Sequence, residues 1–399
     1  MEEQHIEEMK KKVIEAVSKC RICMSCYADC PLYESTRGFV TQGPSGITRA
    51  LYYGIRWDAL DGKDGQDLRD ILYACTTCGS CEVRCKKSAC NIPLVEIIET
   101  GRKLLVEKMV GPMPKQIKVL ESLDRNGNPY GEPAEERTQW LGSIDPQDTA
   151  KIKLVQGDLK TETLLFVGCT SSYERDLVNV PGSIVKIFNH MGVDYGILKD
   201  EKCCGDPALR LGEAGLFEEM AEKNTKVFEQ AEIKRIVTIS PHCMSSFSQD
   251  YPDLPNNITI QHYTEFFAEQ MSAGNLKPQK SLKKKVTYHD PCYLGKHNDI
   301  YETPRQILTW IAGDSFVEME HNREQALCCG GGGGRMFVEI EEIERLSEKR
   351  VQQALDVGAE IIATACPWCY SQIADGIKTS GNEGKILVKD IAELIAESL

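Results

Sequence analysis

Between residues 2 and 18 the apolar positions fall at Ile6, Met9, Val13, Ile14 and Val17, the i, i+3, i+4, i+7 spacing of a helix with one buried stripe. This pattern predicts a helix from Glu2 to Ser18 that delivers the chain to Cys20. Its stripe either packs on its own domain or offers a docking face. A second helical pattern covers Leu94 to Val110. Between them lie short helical pieces and Gly-rich turns, Gly43-Pro44 and Asp61-Gly62-Lys63-Asp64-Gly65 among them. Residues 111–161 then turn polar and rich in Pro, Gly and Asn, as in Asn126-Gly127-Asn128-Pro129, and read as an interdomain connection.

Beyond residue 161 the pattern changes to short apolar strands alternating with charged helices, and it occurs twice. Leu164-Leu165-Phe166-Val167-Gly168-Cys169 opens one unit and Val286-Thr287-Tyr288-His289-Asp290-Pro291-Cys292 the other. Each continues through a helix, a Cys-Cys-Gly triplet (203–205 and 328–330), a charged helix and a second strand. The last strands end at Ile239-Ser240-Pro241-His242-Cys243 and Ala365-Cys366-Pro367-Trp368-Cys369. Corresponding cysteines are offset by 123 (169 to 292), 125 (203 to 328) and 126 (243 to 369) residues, so the register holds throughout. Apolar strands between helices imply parallel sheets, whose ligands sit at the carboxyl ends of strands, where these cysteines fall. The predicted architecture is α+α/β: a helical domain over 1–110, a connection over 111–161, and duplicated α/β domains over 162–275 and 286–399.

Composition narrows the chemistry. A net charge of -13 over 399 residues argues against a surface built for phosphate backbones, so no nucleic-acid partner is expected; Lys283-Lys284-Lys285 reads as a solvated loop. No stretch reaches the ~18–20 consecutive apolar residues needed to cross a bilayer, and the N-terminus lacks the basic and apolar regions of a secretory signal. The reading is a cytoplasmic protein without direct membrane insertion, associated with a membrane only through a partner. Eighteen cysteines in such a chain point to metal or redox chemistry, because the cytosol keeps thiols reduced.

Cys20-x2-Cys23-x2-Cys26-x3-Cys30-Pro31 and Cys75-x2-Cys78-x2-Cys81-x3-Cys85 have the spacing of bacterial ferredoxin runs, in which the fourth cysteine ligates the other cluster. In the second run Lys86 replaces the usual proline. The inferred ligand sets for two [4Fe-4S] cubane clusters are Cys20, Cys23, Cys26 with Cys85, and Cys75, Cys78, Cys81 with Cys30. Zinc motifs instead pair two Cys-x2-Cys units at longer separation. Cys90 either replaces Cys85 as ligand or is a buried thiol. In the duplicated region Cys292, Cys328, Cys329, Cys366 and Cys369 form a five-thiolate set. The first unit has Ser240 in the place of Cys366, leaving Cys169, Cys203, Cys204 and Cys243. Adjacent thiolates on a sharp turn reach different irons, and a neighbouring glycine lets the backbone approach sulfide.

On these residues nearly the full chain resembles the heterodisulfide reductase group built on Cys-Cys-Gly domains, in particular the component of that enzyme in which a two-cluster ferredoxin-like domain is fused to two Cys-Cys-Gly domains. Iron–sulfur subunits of lactate, glycolate and glycerol-3-phosphate oxidising systems share the arrangement. The resemblance implies a non-cubane [4Fe-4S] cluster on the five cysteines of the second unit, which would make them the catalytic set. In the reductase, the disulfide is split between two such clusters. The four thiolates of the first unit suit a cubane cluster or zinc, or are a relic holding nothing.

Other residues have two readings each. The Gly330 to Gly334 run lacks the Gly-Lys-Ser/Thr of a phosphate loop and reads as close approach of backbone to the cluster, or as a linker. His242 and His289 either donate protons to a departing thiolate or are strand-end histidines satisfied by backbone. Trp368 reads as a lid excluding water rather than a redox relay.

Two functions are consistent with this sequence. In one, electrons pass through the two cubanes to the five-cysteine cluster and reduce a disulfide or related sulfur substrate. In the other, the chain is a non-catalytic electron-transfer subunit of a flavin-linked dehydrogenase complex. Both require a redox partner, a flavin-containing or membrane-bound electron-transfer subunit, since no Gly-x-Gly-x-x-Gly follows a strand and opens a helix. A small disulfide or thiol is the further ligand of the first.

Overall fold

A computed structural model describes residues 3–399 except 89, 158, 339 and 341–343. The N-terminal region is helical. Glu3–Ser18 buries Met9, Val13 and Val17, so the apolar stripe packs on its own region; Glu2 lies outside the described residues. Leu94–Glu107 buries Leu94, Ile97, Ile98, Leu104 and Leu105 and packs against the first helix. Two more helices, Pro44–Arg56 and Gly62–Ala74, complete the layer.

The remainder is α/β with two parallel sheets. The first has the order β1-β3-β2-β4-β5, with β1 Lys153–Val155, β2 Thr163–Phe166, β3 Gly196–Leu198, β4 Arg235–Thr238 and β5 Thr259–His262. The second has the order β6-β7-β8, with β6 Val286–Tyr288, β7 Ile361–Thr364 and β8 Leu387–Asp390. On the outer side of β6, Val286 bridges in parallel to Phe316. Central strands are largely apolar because both faces are covered: β7 is buried at every position, as parallel sheets require.

The two sheets meet through a shared layer of four helices. Asn179–Met191 packs on Ile391–Ser398, and Tyr263–Ser272 on Glu302–Ala312. Each pair joins the helix after the first cysteine of one half to the helix after the last strand of the other. Phe188, Phe267, Ile307, Ile311, Leu394 and Ile395 are fully buried in this layer, each contributing about 1.5–3 kcal/mol by leaving water.

The segment 111–161 is more structured than its composition suggests. It carries helix Pro114–Asn126 and the edge strand β1, and it buries Val119, Leu123, Trp140 and Val155. The helix turns Gln116, Val119 and Leu123 inward on one face, a stripe too short to stand out in so polar a stretch. Among the described residues no helix is long and apolar enough to cross a membrane.

Candidate metal centres

In the N-terminal runs the backbone curls in the same way twice. Ile22 and Thr77, each one residue before the second cysteine, have φ of 54° and 50°; Met24 and Gly79, each one residue after it, have 62° and 78°. Left-handed residues on both sides of a cysteine turn successive side chains inward instead of letting them alternate, at a steric cost that non-glycine residues bear only for a reason. The thiols of Cys30, Cys75, Cys78 and Cys81 line one enclosed cavity together with Ile47 and Ile98. Cys20, Cys26 and Cys85 lie close enough to influence one another electrostatically. The Cys85 sulfur accepts from Ile92 N at 3.1 Å, and half-buried Cys90 sits beside it. Burial pushes Cys26 and Cys75 to about 11. Cys23 is exposed and, with the Ser25 hydroxyl beside it, falls to about 7.

All eighteen cysteines are free. Buried thiols that surround a cavity and repel one another's ionisation are an unfavourable arrangement by themselves. A multiply charged cation or cluster supplies the positive charge that allows them to ionise. The donor sets therefore fit iron–sulfur clusters.

Cys169, Cys203, Cys204 and Cys243 stand at the carboxyl ends of β2, β3 and β4 and line a cavity with Ser240 and Trp368. Their thiols form a chain of contacts, 169 to 203 to 204 to 243. Buried Arg137 donates from Nη1 to Cys169 Sγ at 3.2 Å and pairs with buried Glu201, whose carboxylate accepts from Val167 N and Gly168 N at 2.9 Å. Burial alone would raise Cys169, but Cys203 and Arg137 pull it below the ordinary thiol value. Ser240 Oγ is occupied otherwise, accepting from His242 N at 3.3 Å as a helix cap.

Cys292, Cys328, Cys329, Cys366 and Cys369 form one buried group at the carboxyl ends of β6 and β7, with Tyr293 and Trp368. Their contacts run 292 to 328 to 329 to 369 to 366. Against burial, which raises it, contacts with Cys369 and His242 pull Cys366 down to about 5. Cys78 of the N-terminal cavity belongs to the same buried group and contacts Cys328 directly. A groove open to solvent reaches Cys329 between Arg335, Phe337, Leu346 and Gln372.

The glycine run serves two surfaces. Gly330 N donates to Cys328 Sγ at 3.4 Å. A side chain on Gly332 or Gly333 would place its Cβ 2.4 Å from Thr76 O or 2.6 Å from Cys75 O, so these glycines let the second half lie directly on the N-terminal cysteine turn. Arg102, fully buried, fastens this junction by donating to Leu72 O, Cys75 O, Arg210 O and Gly333 O at 2.7–2.9 Å.

Between the two groups the contacts are reciprocal. His242 stacks on Tyr293 at 3.8 Å, and Trp368 donates from Nε1 to Thr170 Oγ1 at 2.8 Å. Thr170 and Tyr293 each follow the first cysteine of their half, and His242 and Trp368 each precede the last. The two rings also touch, at 4.2 Å between centroids. Trp368, 6% exposed, thus bridges the two groups from inside. His242 Nδ1 lies 3.2 Å from Asp206 Oδ2; burial opposes its charge, but Asp206 lifts it to about 9. His289 is held by a side chain, Arg350 Nε donating to its Nδ1 at 3.0 Å.

Sequence reasoning missed Arg137, Glu201, Asp206, Arg102 and Arg350. Two of them had a signal. Arg350 stands in the buried stripe Leu346, Arg350, Ala354 of helix Leu346–Asp356, and Arg102 in the stripe Leu94, Ile98, Arg102 and Leu105 of Leu94–Glu107. A cation where an apolar residue belongs marks a buried hydrogen-bonding post.

Comparison with known proteins agrees with this layout. The family described as "Cysteine-rich domain" matches residues 163–248 and again 286–374, and the family described as "4Fe-4S dicluster domain" matches 16–89. The chain is 38% identical over 331 residues to a probable iron-sulfur-binding oxidoreductase, FadF, of Bacillus subtilis, covering 82% of this chain and 46% of the relative. It is 34% identical over 339 residues to an EtfAB:quinone oxidoreductase of Syntrophomonas wolfei, covering 83% and 47%. The chain thus spans about half the length of these two. A subunit of the dihydromethanophenazine:CoB–CoM heterodisulfide reductase of Methanosarcina barkeri is 30% identical over 398 residues, covering 95% of this chain and 93% of the relative.

Proposed function

We propose, from the premise that the chain belongs to the heterodisulfide reductase family of Cys-Cys-Gly iron–sulfur oxidoreductases, that it takes electrons from a redox partner and delivers them to the five-cysteine group to reduce a disulfide or related sulfur substrate. In this reading residues 1–110 hold two cubane clusters, on Cys20, Cys23, Cys26, Cys85 and on Cys30, Cys75, Cys78, Cys81. Residues 162–275 and 286–399 are duplicated domains, connected to the N-terminal domain through 111–161. The matching orders β2-β4-β5 and β6-β7-β8, and the reciprocal helix contacts, support the duplication. The four-cysteine group suits a cubane cluster or a zinc ion; the five-cysteine group suits the non-cubane cluster.

The observation that carries the reading is the contact of Cys78 with Cys328. It supports a route with no gap from the N-terminal region into the five-cysteine group. Exposed Cys23 marks the end at which a partner protein delivers electrons. When bound, the clusters supply single-electron transfer and iron able to hold a sulfur ligand. The chain's residues do the rest. Trp368, Tyr293 and the buried strand ends exclude water from the group, and the groove beside Arg335 and Gln372 gives a substrate access to Cys329. Cleaving R-S-S-R′ to RSH and R′SH consumes two electrons, arriving singly from the partner, and two protons from solvent.

The test is electron paramagnetic resonance of anaerobically purified protein under redox titration, with candidate thiols added to the oxidised state. A paramagnetic signal that appears with one particular thiol and vanishes in Cys328→Ser is the expected result. If no thiol perturbs any cluster while all of them titrate, the chain is an electron-transfer subunit wiring a flavin-containing partner, the reading that Ser240 in the first half favours.

A further inference from the structure

We infer that His289 supplies the five-cysteine group with a fixed N–H hydrogen-bond donor, and that Arg350 enforces this by dictating which ring nitrogen carries the proton. The inference rests on the reading of that group as a cluster site. His289 is 1% exposed, and a nitrogen of its ring and the sulfurs of Cys329 and Cys369 lie within 4.8 Å of one another. Such a trio has the appearance of a mixed histidine and cysteine metal site. The partner behind the ring excludes that assignment.

A guanidinium only donates. Arg350 is fully buried and places Nε 3.0 Å from His289 Nδ1, so Nδ1 must present its lone pair. In the neutral ring the proton then resides on Nε2. A protonated Nε2 has no lone pair for iron. It has no hydrogen-bond partner among the described residues either, although it is buried, and a buried donor left unpaired costs ~1–3 kcal/mol. A thiolate or inorganic sulfide in the adjoining group satisfies it. Reversing the ring would set a C–H against Arg350, so the orientation is determined as well. Arg350 is itself held, donating from Nη1 to His321 O and to Gln353 Oε1, both at 2.8 Å.

The consequence is a difference in electronics between the two halves. At the register of His289 the first half has Phe166, and at that of Arg350 it has Asn224. Only the second half has this donor pair. A hydrogen bond to cluster sulfur stabilises the more negative, reduced state, raising the reduction potential. Arg350 acts through His289 and is a positioning residue.

The experiment uses the full-length, cluster-loaded protein. In wild type, pulsed paramagnetic resonance of the five-cysteine signal should show a weakly coupled exchangeable proton, lost in deuterium oxide. Histidine labelled with nitrogen-15 should show no coupling of the strength of an iron-bound nitrogen. In His289→Leu the midpoint of that signal should fall by about 59 mV or more, a tenfold change in the one-electron equilibrium, while the N-terminal signals stay in place. His289→Gln, which keeps an acceptor for Arg350 and an N–H, should recover part of the shift. Arg350→Met, which releases the tautomer, should reproduce the fall.

A nitrogen coupling of ligand strength in wild type, or an unchanged midpoint in loaded His289→Leu, overturns the inference. The wild-type spectra decide the matter even if a variant fails to load. Cys369→Ser separates the two levels. If it removes the signal and His289→Leu shifts nothing, only the inference falls. If it leaves every signal unchanged, the cluster assignment itself falls.

Discussion

The two cysteine groups hang from the same kind of parallel sheet and face each other through His242 and Trp368, yet different side chains finish them. In the first, a full cation does the work: Arg137 bonds to Cys169 and is neutralised behind by Glu201. In the second, the His289 ring backed by Arg350 stands beside Cys329 and Cys369, His242 reaches across to Cys366, and the count of thiols rises by one. The first arrangement compensates four thiolates with a permanent charge in a closed shell. The second leaves an extra thiolate, reachable by a groove and in contact with Cys78. The difference between the two groups lies in which side chains stand at a few strand-end and helix-face positions, not in the fold that carries them.

The sharpest way to break that contrast is Cys366→Ser, which gives the second half the ligand complement of the first. Any thiol-induced signal and disulfide-cleaving activity should fall by about 100-fold or more, beyond the 10–100-fold typical of groups one step removed from a metal. Iron bound at the N-terminal runs should be unchanged. Thiol-titrated spectra and total iron on the same preparation read both. Activity retained in this variant would mean that four thiolates suffice and that the two halves differ for another reason.

Next in size is Arg137→Leu. It leaves Glu201, 1% exposed at its side chain, as an uncompensated buried carboxylate, at a cost of about 3–5 kcal/mol. Denaturant unfolding of the loaded protein should lose that much, and Arg137→Leu with Glu201→Gln should recover part of it, because the neutral amide needs no counter-charge, although its one oxygen can accept from only one of Val167 N and Gly168 N. Equal destabilisation of the single and double variants would show that Arg137 matters to the cysteines and not to Glu201.

What the sequence made legible divides along the same lines. Cysteine spacing announced the metal chemistry, since few other functions place four thiols in eleven residues. The short apolar runs Leu164–Phe166 and Ile361–Thr364 announced buried parallel strands. The offset between Ser240 and Cys366 was visible by alignment of one half on the other. The counter-charges were not. Arg137 lies in a polar stretch whose role depends on a three-dimensional approach to Cys169, and β1 is three residues long with Leu154 39% exposed. Arg350 and Arg102 were readable as cations in apolar stripes, but their partners, His289 in one case and four carbonyls in the other, come from distant parts of the chain. His289 could be placed beside a cysteine by sequence; its proton could be placed only by seeing Arg350.

The smallest change carries the finest test of the comparison. Ser240→Cys restores a fifth thiol to the first half and replaces one oxygen by sulfur. Ser240 is 9% exposed and its hydroxyl caps His242 N at a long 3.3 Å, so the loss of stability should stay within about 1 kcal/mol. If thiol count alone made the second half reactive, this variant would gain a second thiol-dependent signal. The outcome we predict is none. The first half would still have Phe166 and Asn224 where the second has His289 and Arg350, and Arg137 would still hold Cys169 with a fixed positive charge. Spectra of the loaded variant under the same thiol titration decide it. A new signal would place the whole difference between the halves in one atom, and its absence would place it in the side chains that surround the sulfurs.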